Sequence, residues 1–416
     1  MRWLALAALA TMGAGMPVRA AVAEAGWVGT WAAAPQPPLA GTLATYRNQT
    51  LRLIVHTSTG GTQVRIRISN LFGTTPLVIA DAHIARRASG ADIDPNNDRR
   101  LTFDGRPSVT VPARSVMVSD PVDLDIPALS DLAISLFLPK PTPATTTHFL
   151  AMQTSYVSAA AGDATAVAHF SAAKPIESWP FLAGVDVTAT PGGSAIVAFG
   201  DSVVDGDGSS PDADRRWPDA LAARLQHGAG TGPVTGVLNQ GLIGNRLLRD
   251  SPHQAGSPVG RGFGPAGLDR FARDALAQPG VKSIIVRLGI NDIGLPGSIA
   301  PAAERASAAS LIAGYRQLIA RARRKGVRIV GATLSPFEQT TIAPGYYTPA
   351  KEAVRQAVNR WIRSSGAFDA VVDFDQVLRD PTHPARLLPG YDSGDHLHPN
   401  DAGYAAMADA VPLTSG

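Results

Sequence analysis

Cysteine is absent from the 416 residues, so neither disulfides nor thiolate metal sites are open to this chain and its stability has to come from packing. Charge excess is also missing: 37 Lys and Arg against 34 Asp and Glu leave a net charge of +3. The sequence pI of 9.3 still implies no basic stripe, because with no Cys and few Tyr little titrates between His and Lys. Nucleic acid is therefore not an expected partner. The densest basic run, Arg321 to Lys325, closes an expected helix before Gly326, where cations complement the helix dipole. No internal repeat is visible. Beyond the first residues no apolar stretch is long enough to anchor the protein in a membrane.

At the start, Arg2 precedes an apolar run from Trp3 to Met16 and small residues at Ala20, Ala21 and Ala23. This reads as a secretory signal peptide over 1–23, and a secreted or periplasmic location is expected. Without Arg2 and Arg19 the net charge falls from +3 to +1.

From Trp27 to Pro191 the pattern is β-rich. Leu51, Leu53 and Val55 alternate with Arg52 and His56, and after Gly60-Gly61 the series Val64, Ile66, Ile68 repeats the alternation. Period two on both sides of a glycine pair predicts a hairpin. Further strands are expected at Leu77 to Ile84, Ser108 to Val111, Ser115 to Val118, Leu132 to Leu138 and Phe149 to Tyr156. The 27–191 region reads as an accessory domain of sandwich or jelly-roll type. Trp27, Trp31 and Trp179 are either its core or a sugar platform, and core is the commoner use of such aromatics.

At Ser194 the pattern changes to strands alternating with helices. Strands are expected at Ala195 to Phe199, Val234 to Asn239, Ser283 to Leu288, Val327 to Leu334 and Ala370 to Asp373. Helices are expected at Trp217 to Gln226, Gly267 to Gln278, Ala302 to Lys325, Pro349 to Arg363 and Asp401 to Ala410, with Thr348 and Asn400 as N-caps. This alternation predicts an α/β domain over 194–416, with a parallel sheet covered on both faces.

Ligands bind such sheets beyond the carboxyl ends of the strands. Gly200-Asp201-Ser202 follows the first strand, Asn239 to Asn245 the second, Gly289-Ile290-Asn291-Asp292 the third, and Asp395-His396-Leu397-His398 the segment after the fifth. A serine hydroxyl is a weak nucleophile at neutral pH and needs a base. His398 is the natural candidate, with Asp395 to accept from its other ring nitrogen.

These four blocks resemble the SGNH (GDSL) hydrolases over Ser194 to about Val411. Ser202 matches the first block, Gly244 the second, Gly289 with Asn291 the third, and Asp395 with His398 the last. Arg216-Trp217-Pro218, Asn245 to Leu248 and His398 to Tyr404 are similar to a secreted bacterial branch grouped with xylanase-cluster esterases. Val204 departs from the usual Thr and His396 from the usual Gly; neither removes a chemical group, and a pocket narrowed by His396 leaves substrate size open.

The resemblance implies a flavodoxin-like three-layer α/β/α sandwich and a Ser202, Asp395, His398 triad. It also implies an oxyanion hole from the Ser202 and Gly244 N–H groups with the Asn291 side chain. It needs no cofactor and no metal. The implied substrate is a short-chain, acetyl-type ester, plausible on plant polysaccharide, in a crevice bordered by Asp205 to Arg216 and Leu248 to Gly262.

A general short-chain carboxylesterase or lipase is the enzymatic alternative, and a non-catalytic glycan-binding protein the alternative of another class. Asp201, Asp205 and Asp292 read as loop organisers. Asp395, His396 and His398 lack a further ligand cluster for a metal, and Gly206 with Gly208 lacks the following Lys of a phosphate loop. The remaining histidines, His253 and His383 among them, read as surface or loop residues. Oligomeric state is not legible.

Overall fold

The computed structural model describes residues 26–188, 192–228, 235–254 and 256–413. The expected signal peptide therefore lies outside the described residues, as does Val234. Among the described residues no helix is long and apolar enough to cross a membrane.

The first half is mostly β and antiparallel. One sheet orders Trp27–Ala32, Leu182–Thr188, Gly61–Ser69 and Val116–Val118, with Val122–Ile126 also paired to Gly61–Ser69. A second orders Ala172–Ile176, Ser155–Ser158, Gln49–His56, Asp131–Leu138, Asp81–Ser89 and Asp92–Ile93.

The expected hairpin across Gly60-Gly61 does not form. Gln49–His56 pairs with Asp131–Leu138 and Ser155–Ser158, whereas Gly61–Ser69 pairs in the other sheet. Alternation says which residues point inward but not which strand is the neighbour. Leu51, Leu53, Val55, Val64, Ile66 and Ile68 do point inward, into one shared core, but from opposite sheets. Two other expectations shift as well. Leu77 to Ile84 divides into Leu77–Ile79 and Asp81–Ser89, and the stretch 149–154 is irregular, with a strand only at Ser155–Ser158.

Trp31 and Trp179 are buried in that core, edge to face at 4.9 Å, and the Trp179 indole donates to the Ile54 carbonyl at 2.7 Å. They are core residues and cannot form a sugar platform. Trp27 lies at the edge under the Arg65 guanidinium, 4.4 Å from the ring centroid.

The second half carries a five-stranded parallel sheet. Its strands are Ser194–Gly200, Thr235–Gly241, Val281–Arg287, Arg328–Ala332 and Ala370–Val372, in spatial order 2-1-3-4-5. Successive residues face opposite ways. Val197 and Phe199 join the core with Leu311, Leu318, Val358 and Ile362 of helices Ala308–Arg324 and Pro349–Ser364. Ala198 and Ile285 face Trp217, Leu221, Tyr404 and Met407 of helices Trp217–Gly228 and Asp401–Ala410.

Thr348 and Asn400 cap their helices, accepting from the N–H groups of Lys351 and Gly403. The helix expected from Ala302 starts only at Ala308, because Ser307 and Ser310 form a reciprocal capping box there and 302–304 is a separate short turn.

The halves pack directly. Val28 and Ala32 belong to the core beneath the parallel sheet. Gly29 donates to the Pro279 carbonyl at 3.1 Å, and Val237 N–H donates to Ser58 Oγ at 2.9 Å. A Cβ on Gly236 would lie 2.3 Å from the Gly29 carbonyl oxygen, so glycine is what lets these backbones touch.

Candidate active site

The first strand ends at Gly200, where a Cβ would meet the Arg287 carbonyl at 2.2 Å and Val204 at 2.3 Å. The chain can therefore turn sharply, and Ser202 opens a one-turn helix, Ser202–Asp205. Asp201 caps that turn by accepting from the Val203 N–H at 3.2 Å. Its carboxylate is wholly buried and is held by the equally buried Arg287, whose other nitrogen donates to Ser335 Oγ at 2.6 Å. Asp201 is thus a loop organiser, as expected. Arg287, which interrupts an apolar strand in the sequence, is its partner and was not anticipated.

Ser202 Oγ lies 2.8 Å from His398 Nε2, and His398 Nδ1 lies 2.5 Å from Asp395 Oδ2. Residues 196 positions apart in the chain meet here because the loop before helix Asp401–Ala410 returns over the end of the first strand. Asp395 is fixed by the N–H groups of Leu397 at 2.9 Å and His398 at 2.8 Å. Burial works against its charge, but these bonds and His398 pull its carboxyl down to about 2.

For His398 burial opposes protonation, yet Asp395, Asp207 and Asp201 together raise its pKa above the ordinary value. Asp207, whose Oδ2 sits 3.6 Å from His398 Nε2, was not singled out in the sequence. Its own carboxyl is pushed up by burial, against the pull of His398.

Gly244 adopts φ +68°, and a Cβ there would lie 2.3 Å from the Phe263 ring. Both conditions call for glycine. Among the described residues the N–H groups of Ser202 and Gly244 have no hydrogen-bond acceptor.

The Asn291 amide donates to the Asn245 carbonyl at 3.0 Å and accepts from Tyr346 Oη at 2.7 Å. A carbonyl only accepts, so the atom facing Asn245 must be Nδ2, and Tyr346 must be the donor to Oδ1. Tyr346 thereby orients the amide. Its phenol is buried and held far above its ordinary pKa by burial and nearby carboxylates, which keeps it a donor. Nothing in its sequence context marks it, since it is 55 residues from Asn291.

Asp292 accepts from Leu247 and Leu248 N–H, and Asp205 accepts from Ile243 N–H at 3.0 Å. Both organise the second block. His396 turns away, at φ +62°, and its ring bonds Asp392. It neither reaches Ser202 nor shares a ligand set with His398, whose two ring nitrogens are already engaged. His253 and His383 are exposed loop residues. His148, by contrast, is a buried residue of an irregular segment, 2% exposed, and the buried His83 lies in strand Asp81–Ser89, so the expectation of surface or loop residues does not hold for His83. Among the described residues, the one His and carboxylate group close enough to hold a metal is His56, Asp131 and Asp214. Its geometry is that of one imidazole nitrogen between two carboxylates, at 2.8 and 3.2 Å.

The family model described as GDSL-like Lipase/Acylhydrolase matches residues 196–411. The chain belongs to this family. It is accordingly an ester hydrolase. No curated protein matches.

Solved structures similar to this GDSL chain include a native aryl esterase from M. smegmatis, 17% identical with TM-score 0.39, covering 52% of this chain and 95% of that one. A mutant acetyl-xylooligosaccharide esterase from Geobacillus is 19% identical, with TM-score 0.37 and coverage of 52% and 91%. A GDSL-like lipase from Bacteroides thetaiotaomicron is 14% identical, with TM-score 0.34 and coverage of 52% and 85%.

A general base at His398 would have to be neutral, so kcat/KM would rise with pH through its free-enzyme pKa. Asp207→Asn removes one of the charges that raise this pKa. The acid limb of the kcat/KM profile, measured with a soluble aryl acetate, is expected to move to lower pH. A limb that stays in place or moves up would show that Asp207 does not act on His398.

Proposed function

We propose that this GDSL hydrolase is a serine esterase in which Ser202, His398 and Asp395 form the catalytic triad. The observation that carries the reading is the unbroken chain from Ser202 Oγ through His398 Nε2 and Nδ1 to Asp395, at 2.8 and 2.5 Å. Ser202 Oγ attacks the ester carbonyl carbon while its proton passes to His398 Nε2. The oxyanion forms within reach of the Ser202 and Gly244 N–H groups and Asn291 Nδ2. The carbon–oxygen bond to the alcohol then breaks, and His398 gives its proton to the departing alkoxide. Water, deprotonated by His398, attacks the acyl-enzyme, the carboxylic acid leaves, and the proton returns to Ser202 Oγ. Asp395 holds the ring's orientation and stabilises the imidazolium. General-base help contributes roughly 10²- to 10⁴-fold, and each oxyanion donor about 10²- to 10³-fold.

The proposed substrate is a short acyl ester, acetyl foremost, on a sugar chain. Its support is the resemblance of the Arg216-Trp217-Pro218 and His398 to Tyr404 stretches to xylanase-cluster esterases, and the tight setting of the nucleophile, with Ser202 4% exposed. Further support comes from a polar cavity of about 490 Å³ beside the second block, lined by Arg246, Arg249, Asp250, Gln254, Asp269 and Glu304. We also propose export through the leader over 1–23, a β-rich accessory domain over 27–191, and a flavodoxin-like three-layer hydrolase domain over 194–416.

Incubation of the full chain with diethyl p-nitrophenyl phosphate is expected to add one diethylphosphoryl group to the peptide carrying Ser202, seen by mass spectrometry. Acetylated xylan is expected to release acetate faster than long-chain triglycerides release fatty acid. A label on a different residue would overturn the nucleophile, and a triglyceride preference would overturn the acetyl reading.

A further inference from the structure

One histidine of the β-rich half is built into the hydrolase half. His148 lies in the irregular segment that the sequence suggested as a strand, and its ring is buried beside Trp179, the two rings 5.5 Å apart. Nδ1 faces the Ala34 carbonyl at 3.0 Å. Nε2 faces Asp205 Oδ1 at 2.8 Å and the Leu150 carbonyl at 3.1 Å. Carbonyl and carboxylate oxygens only accept, so both ring nitrogens must carry a proton and the ring is an imidazolium. Burial opposes that charge, but Asp205 and the two carbonyls outweigh it and raise the pKa. Asp205 is the anion that faces the ring. Arg216 approaches the same Trp179 indole, its guanidinium carbon 5.9 Å from the ring centroid.

Asp205 ends the helical turn that Ser202 begins. While Oδ1 takes the His148 bond, Oδ2 accepts from the Ile243 N–H at 3.0 Å, one residue before Gly244. The contact has no slack. A Cβ on Gly241 would lie 2.2 Å from the Asp205 nitrogen, and Asn239 Nδ2 ties the same turn through the Val204 carbonyl at 2.8 Å. Asp205 therefore couples the nucleophile turn to the glycine loop, and His148 fixes the direction of Asp205.

We propose that His148 is a positioning residue of the oxyanion hole, acting through Asp205 on the Ile243-Gly244 segment, so that the β-rich half completes the catalytic centre. The inference rests on the reading of Gly244 as an oxyanion donor. A donor that serves only the transition state affects kcat and leaves KM nearly untouched.

In the full chain, His148→Gln keeps one donor but loses the charge. With an aryl acetate its kcat is expected to fall about tenfold or more, short of the 10² to 10³ for losing a donor outright, with KM changed less than about threefold. The raised pKa sets the sign of the pH effect. The imidazolium is lost as pH rises through this raised folded-state value, so unaltered enzyme is expected to lose kcat on the alkaline side. That limb is expected to vanish in His148→Gln, which a merely structural role would not produce.

A folded variant with unchanged kcat, or with the alkaline limb preserved, overturns the proposal. If His148→Gln does not fold, Asp205→Asn is expected to give the same selective kcat loss, and unchanged kcat there overturns it equally. If neither folds, the ring ¹⁵N shifts of His148 in the unaltered enzyme decide: a cationic ring at pH 7 supports the proposal and a neutral ring overturns it. Labelling of Ser202 in the parent enzyme keeps this outcome separate from failure of the triad reading.

Discussion

Ser202→Ala is expected to lower kcat for an aryl acetate by roughly 10⁴-fold or more, with the fold and melting behaviour unchanged. The size follows from what is removed. On the proposed mechanism the hydroxyl is the group that forms the acyl-enzyme, and without it His398 would have no nucleophile to activate except water. Catalysis left over from the oxyanion donors would keep the variant above the uncatalysed rate. The fold should persist because among the described residues the Ser202 side chain makes one hydrogen bond, to His398, whereas the turn is held by Asp201, Arg287 and the Gly200 contact. Burst kinetics check the same point: the parent should release one equivalent of p-nitrophenol rapidly wherever deacylation is the slower step, and the variant none. Turnover within tenfold of the parent would refute Ser202 as the nucleophile.

The second large effect concerns stability. Arg287→Met is expected to cost about 3–5 kcal/mol, because it strands the Asp201 carboxylate in the interior. Both residues are 0% exposed. Among the described residues Asp201 Oδ2 has no partner, so the charge relies on Arg287 and the Val203 N–H. Ser335 also loses its donor. Urea unfolding gives the measurement. The double variant Asp201→Asn with Arg287→Met is expected to regain most of the loss, since Asn can still accept from Val203 and no charge remains buried. If Arg287→Met unfolds at the same midpoint as the parent, the pair is not what holds this turn.

The residues of these predictions differ in how far the sequence exposed them. Ser202, Asn291, Asp395 and His398 stand out because each follows a strand end or precedes a capped helix, and their types make a recognisable chemistry. Gly244 stands out only beside them. Arg287 looked like an interruption in an apolar strand, since an arginine paired in the interior has the same letter as one in water. Tyr346 and Asp207 carried no signal. Their roles depend on distances across loops, and loop geometry has no periodicity to read.

Sheet assignment shows the same limit. The inward faces of Gln49–His56 and Gly61–Ser69 were legible from period two, but their membership of opposite sheets was not, because the pairing energy resides in neighbours from distant parts of the chain.

The sequence by itself determined the cysteine-free chemistry, the change from β-rich to alternating α/β pattern at Ser194, the helix caps at Thr348 and Asn400, and the serine, histidine and carboxylate available for acyl transfer. Hydrophobic period and side-chain chemistry are local properties, so they survive in the letters. Only the tertiary structure decided that Arg287 neutralises Asp201, that Tyr346 turns the Asn291 amide, that His396 faces Asp392 and that His148 reaches across to Asp205. Burial changes what each of those groups must do. An imidazole or guanidinium in water needs no partner, whereas one sealed in the interior must find an acceptor, and which acceptor it finds is set by how the two halves of the chain pack.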